Sequence, residues 1–550
     1  MGTLRALCEY CNLMSDSDAP WTVGRYIVEQ LAANGIDTVF GIPGVHTLEL
    51  YRGIAATGIR HVLVRHEQNA GFAADGYARA CGKPAAAFVI SGPGVTNVLT
   101  AVGQAYSDSI PMFVVASTPV RSSLGKRWGV LHELNDQGAV VAAVAGQART
   151  AFSSEAVRDH MRALFAALQL ERPRPVYLGV PLDLLGESTA LRPERFARFA
   201  TNIPVSDETI REVVELLDSA DRPVIIAGGG AREAADEIRK LVEAIDGYVI
   251  TTAAGKGLIP ECHPANLGAS LQFRDMQELV AGADVVLAVG TELSETDIYT
   301  TTRLPMTGRL IRIDRDPAKL SDHYAADVAI CGDARTTLRA ITGAVARRPG
   351  WRTDAGEASA HRREIERHFG GAARAAISAL GAIREALPSD GIVCTDMTQI
   401  AYLGNYAFAA DQPGVWFLPS GYGALGYALP AAIGAKIACP KRAVIALAGD
   451  FGLQFTLQEL MTAVELELSL PVVVWNNNAL GQIRDDMQAA GIPPVGVAAR
   501  NPDFIALARA CGADGIRARG TTELVEAVQG ALRRPGPTLV EAVDTDFLPP

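Results

Sequence analysis

The 550-residue chain reads as an α/β protein built from three consecutive open, parallel-sheet domains. Its length exceeds what one ordinary core holds and suggests three or four units of about 150 residues. Short β-rich runs alternate with amphipathic helical segments along nearly the whole chain, the pattern of parallel sheets covered by helices on both faces. Two stretches with no sustained apolar period, 186–204 and 346–372, divide that alternation into thirds and read as linkers.

After an N-terminal extension, 1–17, the first domain is expected over 18–185, with strand candidates at 85–90 and 112–116. The middle domain, 205–345, offers Pro223–Ala227, Val285–Val289 and 310–313, and the third, 373–550, offers Ile392–Thr395, 443–448, 471–475 and 538–542. No short-period solenoid repeat is visible. In open α/β sheets ligands gather at the carboxyl ends of strands near a topological switch point, so polar clusters that end apolar runs are the places to look.

Composition narrows the function. The formal charge, 50 − 61 = −11, disfavours nucleic acid and points to small metabolites. No apolar run reaches the roughly 20 residues that span a bilayer, and the first sixteen residues lack the pattern of a secretory signal, so no membrane association and a cytoplasmic location are expected. The eight cysteines are scattered, and Cys8-x-x-Cys11 has no second pair at matching spacing, which argues against a disulfide framework or a zinc site.

The most informative segment lies in the third domain. The apolar run 444–448 ends in Gly449-Asp450-Phe451-Gly452, and 472–475 ends in Asn476-Asn477-Asn478. Between them Thr456 and Glu459 have the spacing of a capping box, followed by Leu457, Leu460, Met461 and Val464 at helical intervals, so the segment reads as a β-α-β unit. If the two strands are neighbours, Asp450 and Asn477, 477 − 450 = 27 positions apart, meet at one sheet edge. A carboxylate with an amide oxygen suits magnesium or calcium, and backbone amides near Gly449 and Gly452 suit phosphate oxygens.

This unit resembles the thiamine-diphosphate fold motif, conventionally Gly-Asp-Gly followed some 26 residues later by Asn-Asn, with Phe451 standing at the usual third glycine. The resemblance extends over nearly the whole chain, in the order pyrimidine domain, middle domain, diphosphate domain. It implies thiamine diphosphate and Mg2+ as cofactors, with Asp450, Asn477 and the backbone carbonyl of Ala479 as metal ligands. It also implies a homodimer or homotetramer, because the family's cofactor lies between the first domain of one subunit and the third of another.

Other loops carry further implied roles. Glu67, in Arg65-His66-Glu67-Gln68-Asn69, falls at a strand-to-helix junction and resembles the family's acid that hydrogen-bonds the pyrimidine and promotes formation of the thiazolium C2 ylid. Ser91-Gly92-Pro93-Gly94-Val95-Thr96-Asn97 resembles a pyrimidine-side loop, with Asn97 as a cofactor contact. In Ser420-Gly421-Tyr422-Gly423-Ala424-Leu425-Gly426 the resemblance gives the Gly423 carbonyl to the aminopyrimidine and makes Leu425 the wedge that bends the cofactor. Thr398 and Gln399 are candidates for diphosphate or pyrimidine contact.

At the substrate end, the loop residues His46 and His132 are candidates for proton handling. The family resemblance spans acetolactate synthases, 2-oxo acid decarboxylases and benzaldehyde lyases, and the loops look most like the subgroup that decarboxylates guanidino 2-oxo acids. Glu133, Asp136 and Asp485 are the acidic candidates for a cationic tail, while Leu480-Gly481-Gln482 stands where that subgroup leads one to expect Tyr-Gly-Glu. In the middle domain, the third glycine of a dinucleotide fingerprint starting at Gly228 falls on Glu233, and no flavin is expected. The expected activity is non-oxidative decarboxylation of a 2-oxo acid to an aldehyde. The alternatives are carboligation onto an acceptor aldehyde or ketone, as in acetolactate synthases, and an inactive cofactor-binding regulatory homologue.

Overall fold

The computed structural model describes residues 21–200, 203–348, 355–498 and 500–548. The expected extension 1–17, with Cys8 and Cys11, lies outside the described residues, as does 349–354 of the second expected linker. The chain forms two compact units, one of residues 1–78 and 82–199, the other of 79–81 and 200–550. Among the described residues no helix is long and apolar enough to cross a membrane.

The first unit holds one six-stranded sheet: β1 (Thr38–Gly41), β2 (Arg60–Leu63), β3 (Ala86–Val89), β4 (Met112–Thr118), β5 (Gln147–Thr150) and β6 (Pro175–Pro181), ordered β2-β1-β3-β4-β6-β5. All pairings are parallel, so every strand delivers its carboxyl end to the same edge. The stretch after the last helix of this unit has no regular structure, yet it runs along the unit. Trp21 Nε1 donates to Leu191 O at 2.8 Å, and the Gln30 amide donates to Glu194 O at 2.7 Å and accepts from Glu194 N at 2.9 Å.

The second unit contains two sheets. The middle one comprises β7 (Pro223–Ala227), β8 (Tyr248–Thr251), β9 (Val285–Val289), β10 (Arg309–Asp314) and β11 (Val328–Cys331), ordered β11-β10-β9-β7-β8. The third comprises β12 (Ile392–Thr395), β13 (Trp416–Phe417), β14 (Val444–Gly449), β15 (Leu470–Asn476), β16 (Asp514–Ala518) and β17 (Pro537–Val543), ordered β13-β12-β14-β15-β17-β16. By rank along the chain this is the order of the first sheet, so one topology occurs twice. β7 shows why the sheets are buried on both faces. Ile225 and Ala227 enter one core cluster and Val224 and Ile226 the opposite one, so an uninterrupted apolar strand feeds two helical layers.

Local reading failed at the expected capping box, and the second expected linker contains the helix Ala355–Arg367. Thr456 and Glu459 form no capping box: the segment folds as two short helices, Asp450–Thr456 and Glu459–Glu465, and the second starts from Gln458 without a side-chain cap. The Thr456 hydroxyl is engaged elsewhere, donating to Gly426 O at 2.9 Å, so a tertiary bond displaces the local one. The glycines after β7 are explained by close packing. A Cβ on Gly228 would lie 2.4 Å from Gly290 O, and one on Gly230 would lie 2.9 Å from Gly290 Cα.

Within the second unit Lys256 joins the loop after β8 to the helix Gln399–Ala407. Its buried ammonium donates to Asn405 O at 2.8 Å and Tyr406 O at 3.2 Å. Burial pushes its pKa down to about 8, against the opposing attraction of Glu261. Between about pH 8 and 10.5 the folded chain therefore holds fewer protons on this group than the unfolded chain, and its contribution to stability rises with pH through that window. Relative to Lys256→Met, the wild-type protein should gain up to about 3 kcal/mol between pH 7.5 and 10.5, read as a wild-type thermal midpoint that rises with pH relative to the variant's; a constant difference would refute a charge buried here.

Candidate active site

The carboxyl edge of the third sheet gathers most of the residues singled out from the sequence. β14 and β15 are hydrogen-bonded neighbours with Gly449 opposite Trp475, so Asp450 and the asparagine run emerge side by side. Asp450 opens the helix Asp450–Thr456, where the unpaired N–H groups of a first turn favour a carboxylate. It is 2% exposed. Burial pushes its pKa upward, against hydrogen bonds from the Asn501 amide and from backbone N–H groups including those of Phe451 and Asn478.

Asn477 follows β15; its Oδ1 accepts from Ala479 N at 3.1 Å and its Nδ2 donates to Gln399 Oε1 at 3.2 Å. Asn478 takes φ +54°, a left-handed turn that asparagine tolerates, and redirects the chain into Ala479. Gln399 in turn donates to Asp485 Oδ2 at 2.9 Å, which links the helix Gly481–Ala489 to this edge. Gly481 is required there, since a Cβ would lie 2.3 Å from Gln399 Oε1 and 2.6 Å from Asn477 Nδ2.

The structure puts the tight packing on either side of Phe451. The position that must lack a Cβ is the next one. On Gly452 a Cβ would meet Asp396 Oδ2 at 2.6 Å, and on Gly449 it would meet Thr398 Oγ1 at 2.8 Å. Phe451 itself is half-buried. Thr398, Gln399, Gly449, Asp450, Phe451, Gly452, Asn477 and Ala479 thus share one edge built on β12, β14 and β15, at the switch point of the sheet.

Asp396, which the sequence reading missed, organises the facing turn. It is fully buried, and both its oxygens accept from Gly426 N at 3.0 Å. Burial drives its carboxyl up to about 6, restrained by the backbone N–H groups of Met397, Gly426, Ala428 and Tyr427. The turn it holds contains Gly423 at φ +70° and Gly426 at φ +84°, conformations that favour glycine, with a half-buried Leu425 between them. The available signal was positional: Asp396 is the first polar residue after β12, as Asp450 is after β14.

The first unit has its own cluster. Glu67 is the first residue of the helix Glu67–Cys81, capped by His66, whose side chain accepts from Gln68 N. Asn97, on the helix Pro93–Ser107, donates to Glu67 Oε2 at 2.9 Å. At the β1/β3 switch point the buried His46 shares a 2.6 Å hydrogen bond between Nδ1 and Ser91 Oγ, and its ring meets that of His132 edge-on at 4.8 Å. Burial lowers the pKa of His46, and repulsion from His132 lowers it further. His132 Nδ1 is buried without a hydrogen-bond partner among the described residues. Gln137 locks this corner by accepting from Gly92 N and donating to Ser117 O and Tyr177 Oη.

All three acidic candidates have local partners. Glu133 accepts from Gly129 N at 2.8 Å, and Asp136 caps the helix Gln137–Ala142. Asp485 accepts from Arg484 Nε at 3.0 Å with one oxygen and from Gln399 of the third-sheet edge at 2.9 Å with the other.

Three segments of the chain match known families of protein domains. Residues 21–143 match the N-terminal TPP binding domain of thiamine pyrophosphate enzymes, 210–341 their central domain and 396–542 their C-terminal TPP binding domain. The chain is 48% identical over 534 residues to a probable 2-ketoarginine decarboxylase of Pseudomonas aeruginosa, covering 94% of this chain and 93% of that protein. It is 30% identical over 536 residues to the large subunit of acetolactate synthase isozyme 1 of Escherichia coli, covering 94% and 93%. The chain belongs to the family of thiamine pyrophosphate (thiamine diphosphate) enzymes.

Proposed function

We propose that this chain decarboxylates a 2-oxo acid with a cationic, guanidino-type tail to the corresponding aldehyde. The observation that carries the reading is near-full-length similarity to a probable 2-ketoarginine decarboxylase at 48% identity, against 30% for acetolactate synthase. The link from Asp485 through Gln399 to Asn477 supports it, because it brings a carboxylate into the network of the site.

The residues present fit the cofactor. A buried carboxylate and an amide oxygen on adjacent strand ends are hard donors, suited to Mg2+ completed by water and phosphate oxygens. Asp450, Asn477 and the Ala479 carbonyl would hold the ion; Gly449, Phe451 and Gly452 would present backbone to the diphosphate, with Thr398 and Gln399 beside it. Thiamine diphosphate, when bound, supplies a nucleophilic carbon and a sink for the electron pair left as carbon dioxide departs. By the family resemblance Glu67, steadied by Asn97, would hydrogen-bond the pyrimidine of the cofactor, and the Gly423 carbonyl and Leu425 would be contacts of the diphosphate-binding domain.

In the net reaction the bond between carboxylate and carbonyl carbons breaks, carbon dioxide leaves, and a proton is delivered to the former carbonyl carbon. His46 and His132 are the proposed proton carriers: the Ser91 hydroxyl orients His46, whose lowered pKa keeps it neutral near pH 7. The working form is proposed to be a homodimer or homotetramer, in keeping with the family resemblance.

Purified protein supplied with thiamine diphosphate and Mg2+ should release carbon dioxide and an aldehyde of matching mass from 5-guanidino-2-oxopentanoate faster than from pyruvate or an apolar 2-oxo acid. Acetohydroxy acid from pyruvate as the main product would favour the carboligase, and no turnover with saturated cofactor would favour the inactive homologue. Glu67→Gln should lower turnover by at least about 100-fold while Mg2+ binding stays unchanged; full activity in that variant would remove Glu67 from its assigned role.

A further inference from the structure

Asn501 is the residue on which the two strand ends of the third-sheet edge converge. Its Nδ2 lies 2.6 Å from Asp450 Oδ2, 3.0 Å from Asn476 Oδ1 and 3.3 Å from Asn478 Oδ1. A primary amide carries two hydrogens, so three oxygens share them, and the shortest contact goes to the only charged acceptor. The direction of the amide is fixed from its other end: Asn501 Oδ1 accepts from Gln454 Nε2 at 3.1 Å, and the same nitrogen of Gln454 donates to the Asp450 carbonyl at 3.0 Å.

Asn501 also comes from a separate part of the chain. It lies just before the helix Phe504–Ala510, and the segment preceding it is laid along the ligand loop: Leu480 N donates to Val497 O at 2.8 Å, and Ala479 forms an antiparallel bridge with Ala498. Asn476 is anchored from behind by its own bond to Glu541 Oε1 at 2.7 Å. One side chain therefore staples the residue after β14 to the asparagines at the end of β15.

We propose that Asn501 is a positioning residue of the metal site. By holding Oδ2 of Asp450 against Asn476 and Asn478, it sets both the rotation of the carboxylate and its distance from the loop that carries Asn477 and Ala479. Divalent cations tolerate ligand displacements of only a few tenths of an ångström, and groups that orient a ligand contribute to affinity without touching the ion. The inference rests on the reading of Asp450 as a metal ligand.

The test is Mn2+ affinity, measured by electron paramagnetic resonance on the full-length apoprotein in the presence of thiamine diphosphate. Asn501→Ala should weaken Mn2+ binding about 10- to 100-fold with little change in the thermal midpoint of the apoprotein, and Asn501→Ser, which keeps one donor, should lose less. Gln454→Ala should weaken it in the same direction and carries the comparison if Asn501→Ala does not fold. Wild-type Mn2+ affinity in these variants, with binding lost in Asp450→Ala, overturns the inference alone. Wild-type affinity in Asp450→Ala overturns the metal-ligand reading and the inference with it.

Discussion

A carboxylate buried at a strand end, Asp396, is the interaction on which the third-sheet edge depends. Taken out of water with no cation among its hydrogen-bond partners in the described residues, it is stabilised by backbone N–H groups, above all that of Gly426. Satisfying it determines the path of the turn from Gly423 to Gly426 and draws the helix that begins at Asp450 so close that Gly452 can carry no side chain. The Thr456 hydroxyl then closes the same corner on Gly426. A polar group that would otherwise cost stability is thereby turned into the scaffold for residues proposed to hold cofactor.

Parallel topology supplies the rest. The same strand order occurs in the first and third sheets, and in each the polar groups collect where the order reverses. The contents of the two edges differ. The first unit offers a glutamate steadied by an asparagine and a pair of imidazoles, groups that move protons; the third sheet offers a carboxylate and amides, groups that bind a hard cation. One architecture, used twice, presents two sets of polar groups because the strand-end loops differ.

What could be read from sequence followed the physics of burial. The strands β3, β4, β7, β9, β12, β14 and β15 are runs of mainly apolar residues buried along their length, and such runs stand out; β10 and β17 were read despite the Arg312 and Glu541 within them. The two-residue edge strand β13 and the mixed β16, at the rims of their sheet, have no such pattern and were not anticipated, and the fully buried β1 and β6 were not singled out either. Asp450 and Asn477 were legible because each ends an apolar run within one β-α-β unit. Asp396 and Asn501 were not, since their partners, Gly426 and Asp450, lie 30 and 51 positions away in the chain. The capping box at Thr456 failed for the same reason, a distant carbonyl outbidding a local amide. Phe451 looked like a departure until the packing showed that the residue pressed against Asp396 is Gly452.

The central claim is that the third-sheet edge binds a diphosphate through a divalent cation held by oxygen ligands. It is tested most directly by calorimetric titration of the protein with thiamine diphosphate and with unphosphorylated thiamine, each with and without Mg2+. Mg2+ should tighten thiamine diphosphate by at least about tenfold, some 1.4 kcal/mol, and leave thiamine unaffected. Diphosphate binding of equal strength with and without the cation would contradict the account.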